Sequence, residues 1–285
     1  MGRTVRVVAD GYSFLEGPRW HAGRLFLSDF YTHRVLALGP DGKVTTICTV
    51  AHQPSGLGFA PDGALLIVSM LDRRLLRLDD DRLVTVADLG EHAAGPANDM
   101  VVDHRGRAYV GNFGEPLPDG THAPTTLVRV DPDGDIAVAA TDLVFPNGIV
   151  ITPDGGRLLV SETFAGRISA FDVDTAGELS GRQVWMQFDH ESGRLPLPDG
   201  LALDAEGALW VADATGSGPL RVDDGVVVDR VDTGDLSVYA VALGGEDRRT
   251  LFMCAAPPLG SVDPRTSRLS VLLACQVDVP GAGLP

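Results

Sequence analysis

The chain has 285 residues, of which 44% are hydrophobic and 22% charged, a balance usual for a globular protein. Its formal net charge of −16 at pH 7 repels phosphate groups, so we expect neither nucleic acid nor an anionic membrane as a partner. Apolar runs are too short to span a bilayer and the N-terminus lacks the apolar core of a secretory signal, so we expect a cytoplasmic protein.

One phrase recurs six times along the chain. Each copy begins with a polar residue, continues as an apolar run, turns at a D-G-like dipeptide and returns as a second apolar run. The copies are EGPRWHAGRLFLSD at 16–29, SGLGFAPDGALLIVS at 55–69, NDMVVDHRGRAYVGN at 98–112, NGIVITPDGGRLLVSE at 147–162, DGLALDAEGALWVAD at 199–213 and YAVALGGEDRRTLFMCA at 239–255. A third and usually a fourth run follow each copy, and such runs closed by turns are typical of β-hairpins.

Repeats of this length with four short strands each predict a six-bladed β-propeller, an all-β fold with four antiparallel strands per blade. A two-sheet sandwich is the alternative, but it would not explain six matching phrases. We expect a single domain over residues 1–285, with the N-terminal run RTVRVVA completing the last blade beside RLSVLLACQ. The three cysteines, Cys48, Cys254 and Cys275, lack C-x-x-C spacing and are expected to be reduced core residues.

The first residue of each phrase is expected to face the propeller axis, because the first strand of a blade lines that axis. All six side chains at this position carry oxygen: Glu16, Ser55, Asn98, Asn147, Asp199 and Tyr239. A buried polar ring with two carboxylates costs free energy unless something satisfies it. We therefore expect one divalent metal ion, with Ca²⁺ favoured and Zn²⁺, Mn²⁺ or Mg²⁺ as alternatives. The other interpretation is a water-filled channel with polar walls.

Two long insertions, residues 112–126 and 186–198, follow strands that end at the ring face, so they are predicted to cover the ring and form a pocket. Aromatic residues in or beside them predict a partly apolar mouth: Phe113, Phe145, Phe164, Trp185 and Phe188. Three acidic residues end the second strand of their blades and are candidates for the pocket rim or for turn carboxylates: Asp29, Glu162 and Asp213.

Four segments, in order, resemble the SMP-30/gluconolactonase/LRE-like family: FLEGPRW at 14–20, PANDMVVD at 96–103, FPNGIVITPDG at 145–155 and PDGLALDAEGALWVAD at 198–213. The resemblance implies a six-bladed propeller with one catalytic divalent metal near the axis, held by Glu16, Asn147 and Asp199, with Asn98 contacting metal or substrate. It also implies hydrolysis of lactones, and in some relatives of phosphotriesters. Pro96 stands where sugar-lactonase members commonly carry an arginine that holds substrate hydroxyls, so the resemblance does not extend to that contact.

The expected function is opening of a small lactone by metal polarisation of its carbonyl and attack of water. Asp199 is the candidate catalytic residue, as ligand and base, and the sequence leaves open whether the cation alone activates the water. Candidate substrate contacts are Asn98, Ser55, Tyr239, Phe113 and Glu162. We expect a monomer or weak homo-oligomer acting on a small molecule. The alternatives are a metal-dependent isomerase, dehydratase or cyclase on the same site, a non-catalytic binding propeller, and a strictosidine-synthase-like propeller that uses one acidic residue without metal.

Overall fold

The computed structural model describes residues 3–118, 120–190 and 193–283. These residues form six four-stranded antiparallel sheets, which confirms the predicted six-bladed propeller. The helical segments within the described ranges are two short 3₁₀ turns, Phe30–Thr32 and Thr163–Ala165. None of the helical segments in these ranges is long and apolar enough to cross a membrane.

The strands are numbered in chain order, and the first blade to be completed along the chain consists of β2–β5. Blades one and two contain β2 (Leu15–His21), β3 (Arg24–Asp29), β4 (Arg34–Leu38), β5 (Val44–Thr49), β6 (Pro54–Phe59), β7 (Leu65–Ser69), β8 (Arg74–Asp79) and β9 (Arg82–Asp88). Blades three and four contain β10 (Ala97–Val102), β11 (Ala108–Asn112), β12 (Thr125–Val130), β13 (Ile136–Leu143), β14 (Pro146–Ile151), β15 (Arg157–Glu162), β16 (Arg167–Val173) and β17 (Leu179–Gln187). Blades five and six contain β18 (Pro198–Leu203), β19 (Leu209–Asp213), β20 (Leu220–Asp223), β21 (Val226–Arg230), β22 (Ser237–Gly244), β23 (Thr250–Ala256), β24 (Ser270–Gln276) and β1 (Arg6–Tyr12).

The ring of blades is closed by the N-terminal strand. Strand β1 pairs antiparallel with β24, with Arg6 opposite Ala274 and Val7 opposite Leu273, and it forms the outer strand of blade six. On the inside, the first strand of each blade contacts the first strands of both neighbouring blades. Strands β2, β6, β10, β14, β18 and β22 therefore surround the propeller axis, and residues at equivalent positions in them can converge there.

Apolar side chains fill the spaces between neighbouring blades. Val35 and Ala37 of blade one, for example, pack with Leu57 and Ile67 of blade two, and all four are almost completely buried. Such contacts bury the faces that a single four-stranded sheet would leave in water.

The cysteines belong to these clusters as free thiols. Cys254 and Cys275 are buried, and Cys48 packs half-buried against the cluster between blades one and two. Burial raises the pKa of Cys48 and of Cys275 to about 11, so both are uncharged near neutral pH. The thiols therefore behave as small apolar core residues, as the sequence predicts.

Candidate active site

The inner strands share one local irregularity. In all six blades the pairing register between the first and second strands shifts at the start of the first strand, where the predicted ring residue lies. A β-bulge leaves a residue outside the regular ladder and re-aims its side chain. The same deviation, repeated in each blade, explains why residues that are distant in sequence are presented toward one region of the axis.

Glycine follows the ring residue in four blades because the inner strands approach each other closely. A Cβ atom on Gly148 would lie 2.4 Å from the backbone oxygen of Asp199, and one on Gly200 would lie 2.6 Å from the Cα atom of Ala240. Neither position has room for a side chain. The E-G, N-G and D-G pairs in the sequence are thus a packing requirement that brings the ring residues together.

Five of the six predicted ring residues line a single cavity of about 270 Å³: Glu16, Asn98, Asn147, Asp199 and Tyr239. The sixth, Ser55, does not line it. Ser55 is buried, and its Oγ donates a hydrogen bond of 3.2 Å to Oδ1 of Asn98. The predicted substrate contact by Ser55 is therefore replaced by an indirect role, because its hydroxyl is used to hold the Asn98 amide.

Two carboxylates at this cavity act on each other electrostatically: Asp199 is buried and Glu16 is half-buried. Desolvation, with the nearby charge of Asp99, raises the pKa of Glu16 to about 8. Burial and then the charge of Glu16 raise the pKa of Asp199 well above its usual value. Two poorly solvated anions in proximity oppose ionisation of both, because neither solvent nor a full counter-charge stabilises them.

The amides are held by hydroxyl groups. Nδ2 of Asn147 donates to Oγ1 of Thr163 at 3.2 Å, and this hydroxyl donates to the backbone oxygen of Pro198 at 2.9 Å. A further hydrogen bond from Asn147 reaches the Asp199 carboxylate and lowers its pKa. Thr163 therefore ties the amide of blade four to the chain just before Asp199 in blade five.

The carboxylate and amide oxygens at this cavity are the ligands available to the metal that the sequence predicts. Oδ1 of Asp199 is buried and has no hydrogen-bond partner among the described residues. A buried anionic oxygen without a partner, beside a second carboxylate and two amides, fits a hard cation that prefers oxygen ligands. No group of three or more His, Cys, Asp or Glu side chains in the described ranges is arranged to hold a metal, so the fit depends on the mixed carboxylate and amide set.

Glu162 does not line the cavity, so the structure does not place it where the predicted substrate contact could form. Its carboxylate is completely buried and forms ion pairs with Arg167 at 2.8 Å and Arg182 at 2.9 Å. It also accepts a hydrogen bond from the backbone N–H of Val144. These donors hold the pKa of Glu162 below its usual value against the opposing effect of burial.

The matching acidic residues in two other blades have the same arrangement. Asp29 accepts from the backbone N–H groups of Ser13 and Phe14, and Asp213 accepts from that of Leu197. Each carboxylate thus fastens the end of a second strand to the residues just before the first strand. They are buried structural carboxylates, neither rim residues nor solvated turn residues.

Aromatic residues make up most of the cavity wall. The remaining lining residues are Phe14, Phe30, Tyr31, Phe113, His122, Phe145, Thr163, Phe164, Leu197, Ala214 and Leu259. The two predicted covering segments contribute Phe113, His122 and Leu197. Trp185 and Phe188, also predicted near the mouth, pack instead in the cluster between blades four and five.

Several lining residues were missed by sequence reasoning. Phe30, Tyr31 and Thr163 come directly after a second strand, in the two 3₁₀ turns, and Thr163 precedes Phe164, which the sequence does predict at the mouth. Leu259 occupies the corresponding connection of blade six. The rule that links between second and third strands lie at the ring face could have identified them, had it been applied to the short links as well as to the long ones.

The chain is similar in sequence to known proteins. Residues 14–257 match the family model described as SMP-30/Gluconolactonase/LRE-like region. The chain is 30% identical over 258 residues to the pentonolactonase XacC of Haloferax volcanii, covering 88% of this chain and 84% of that protein. It is 28% identical over 295 residues to a 6-deoxy-6-sulfogluconolactonase of Pseudomonas putida, covering 100% and 99%.

Solved structures share the fold. The calcium-binding protein regucalcin from Agrobacterium tumefaciens superimposes with a TM-score of 0.83 at 22% identity, covering 99% of this chain and 96% of that one. With the family model spanning most of the chain and the repeats, bulges and cavity in place, the chain belongs to the SMP-30/gluconolactonase/LRE-like family.

Proposed function

We propose that this protein is a divalent-metal-dependent lactonase, which opens a small cyclic ester with water. The observation that supports it most strongly is the pair of carboxylates, Glu16 and Asp199, at one cavity, with a buried Asp199 oxygen that lacks a partner among the described residues. Relatives named as a pentonolactonase and a sulfogluconolactonase support the reaction class. The name of the regucalcin structure supports Ca²⁺ as the ion.

Glu16, Asn147 and Asp199 would hold the cation, and Asn98 would complete the polar floor. When bound, a divalent cation neutralises the two carboxylates and polarises an ester carbonyl as a Lewis acid. Asn147 contributes an oxygen donor without adding charge, and Thr163 fixes its orientation.

Asn98 would orient the substrate. Its Oδ1 accepts from Ser55, so the Nδ2 group is left as a donor toward a bound molecule. The aromatic walls exclude bulk water from the reacting carbonyl, which strengthens each polar contact made there.

Asp199 would act as the base. The oxygen of water forms a bond to the carbonyl carbon while its proton passes to the Asp199 carboxylate. The ring C–O bond then breaks, and the same proton goes to the departing alkoxide, giving an open-chain hydroxy acid. Every atom of water is thus present in the product.

The test combines metal content with turnover. Elemental analysis of the purified protein should find about one equivalent of a divalent metal, and chelation should abolish lactone hydrolysis until Ca²⁺, Mn²⁺ or Zn²⁺ is restored. Glu16→Gln and Asp199→Asn should lose tight metal binding and activity while retaining the fold by circular dichroism. Full activity in either variant would refute the proposal.

The same experiment separates the other functions. Bound metal with no turnover across a lactone panel would favour an isomerase, dehydratase or cyclase. A protein that binds no divalent metal would favour a binding propeller.

A further inference from the structure

The cavity has two aromatic walls. The first wall, from blades six and one, consists of Phe14, Phe30, Tyr31 and Tyr239, with the rings of Phe14 and Tyr239 4.7 Å apart. The second wall, from the connections of blades three and four, consists of Phe113, His122, Phe145 and Phe164. These pairs of blades lie across the axis from each other, so the polar floor is flanked by aromatic surface on both sides.

The second wall is a series of aromatic rings in contact. The rings of Phe113 and Phe145 meet edge to face with centroids 4.4 Å apart, and those of Phe145 and Phe164 are tilted by 56° with centroids 4.8 Å apart. The His122 ring lies nearly parallel to Phe164, with centroids 5.2 Å apart and planes inclined by 19°. An aromatic surface of this kind can contact a planar ring edge-on or face-on, and that ring gains both apolar burial and favourable ring contacts.

Two hydroxyl groups at the cavity are already engaged. The Tyr239 hydroxyl donates to the backbone oxygen of Pro257 at 3.0 Å, and the Thr163 hydroxyl is used between Asn147 and Pro198. Among the described lining residues there is no Lys or Arg. A substrate rich in hydroxyl groups, or one carrying an anionic group, would therefore lose its hydration above the floor and gain few matching partners.

Two local features show that the second wall is specifically built. Phe145 has a backbone φ of 55°, in the left-handed region that a bulky residue rarely occupies, and this strained conformation accompanies a ring that lines the cavity. Nδ1 of His122 is buried and has no hydrogen-bond partner among the described residues. This nitrogen is shielded from the cavity, so the His122 ring contributes aromatic surface to the wall.

We propose that the substrate is a lactone bearing an aryl substituent, which lies between the two aromatic walls while the ester faces the polar floor. The cavity of about 270 Å³ suits a lactone ring with one such substituent. This proposal rests on the proposed lactone hydrolysis for the catalytic step, but the binding preference can be measured separately.

The first experiment compares kcat/KM of the metal-loaded protein for three lactones of one ring size: unsubstituted δ-valerolactone, a phenyl-substituted δ-lactone and glucono-δ-lactone. We expect the phenyl lactone to exceed glucono-δ-lactone by at least about tenfold, a ratio within reach of apolar pocket discrimination. Equal or faster turnover of glucono-δ-lactone would overturn the substrate class and leave lactone hydrolysis standing.

The second experiment measures dissociation constants by calorimetry for the corresponding lactams, which water does not open. Tighter binding of the phenyl lactam than of the polyhydroxylated lactam supports the proposal even if no lactone is turned over, in which case the proposed hydrolysis alone fails. Equal binding, or preference for the polyhydroxylated lactam, refutes the aryl substituent whatever the activity.

Variants then locate the contact. Phe164→Ala, at an exposed residue that should not disturb folding, should weaken phenyl lactam binding by about tenfold, and by more than it weakens unsubstituted lactam binding. Val226→Ala, an exposed apolar truncation on the outer strand β21, is the matched control and should alter neither. His122→Ala removes the ring that lies nearly parallel to Phe164 and should also weaken phenyl lactam binding. Unchanged binding in both Phe164→Ala and His122→Ala would exclude the second wall as the contact for the aryl group.

Discussion

Arg19 and Asp99 form a buried ion pair across the propeller axis, with Nη2 of the guanidinium 2.7 Å from Oδ1 of the carboxylate. They belong to β2 and β10, the inner strands of blades one and three, and their side chains are only 7% and 10% exposed. Arg19 also lines a smaller cavity on the far side of the polar floor. The pair therefore lies between the candidate site and that second cavity. Both charges act electrostatically on Glu16: Asp99 raises the pKa of Glu16 and Arg19 lowers it.

Removing one partner of this pair should destabilise the fold strongly. Asp99→Asn leaves the Arg19 guanidinium buried without a counter-charge, so we expect a loss of about 3–5 kcal/mol in the free energy of unfolding. Asp62→Asn is the matched control, because Asp62 pairs with Arg77 at 2.6 Å while its side chain is 60% exposed, and solvent screening makes the loss of an exposed pair a small effect on stability. Urea denaturation measures both changes. Equal losses in the two variants would contradict a structural role for the buried charge pair.

Close approach of the inner strands leads to a second prediction. Gly148→Ala places a methyl group 2.4 Å from the Asp199 backbone oxygen, so it should cost about 1–3 kcal/mol or more and weaken metal binding by displacing Asp199. Gly156→Ala is the control, since Gly156 has an ordinary φ and a Cβ there meets nothing closer than 3.5 Å. It should be neutral or slightly stabilising. Thermal unfolding with and without Ca²⁺ separates the two effects, and a Gly148→Ala protein as stable as Gly156→Ala would exclude the packing explanation.

The fold was predictable because the feature that builds it is repeated locally. The ring residue, the following glycine and the D-G turn recur in the sequence, and the structure converts each copy into the same bulged hairpin. Five of the six ring positions reach one cavity for this reason. Ser55 has the same position in its own repeat but turns to Asn98 instead of the cavity.

Contacts between distant segments could not be predicted in this way. Glu162 looks equivalent to a rim residue in the repeat, yet its surroundings are set by Arg182, which comes twenty positions later on the outer strand of the same blade. His122 lies in an irregular connection without hydrophobic periodicity, and its position depends on the isolated bridge to Pro116. The Arg19–Asp99 pair joins residues 80 positions apart. In each case the partner is chosen by tertiary geometry, which a local pattern does not encode.

The raised pKa of Glu16 predicts how the metal-free protein responds to pH. A carboxyl group whose pKa rises from 4.5 in the unfolded chain to about 8 in the fold binds more protons when folded, so stability decreases as pH rises through that window. We expect a lower free energy of unfolding in chelator at about pH 8 than at about pH 5, at about 1.4 kcal/mol per pKa unit as an upper bound. The buried carboxyl groups with a lowered pKa, Asp29 and Glu162, act below this window.

Glu16→Gln provides the control for this dependence, because the amide cannot ionise. The difference in the free energy of unfolding between the two pH values should be smaller in the variant. The part of that difference that comes from repulsion among the other acidic groups of the chain should remain. A profile as steep as that of the unmodified protein would show that Glu16 is not the group responsible.

Thr163 links the Asn147 amide of blade four to the chain that carries Asp199. A substitution of Thr163 should therefore change metal affinity, although Thr163 is not one of the proposed metal ligands. Thr163→Val removes the hydroxyl between Asn147 and the Pro198 backbone oxygen while preserving shape, so Asn147 loses its fixed orientation. We expect Ca²⁺ affinity, measured by calorimetry, to fall by about 10–100-fold, as for other groups that orient metal ligands. Thr163→Ser keeps the hydroxyl and should retain affinity close to that of the unmodified protein. If Thr163→Ser binds Ca²⁺ as weakly as Thr163→Val, the methyl group and not the hydroxyl matters, and the positioning role assigned to this hydrogen bond is wrong.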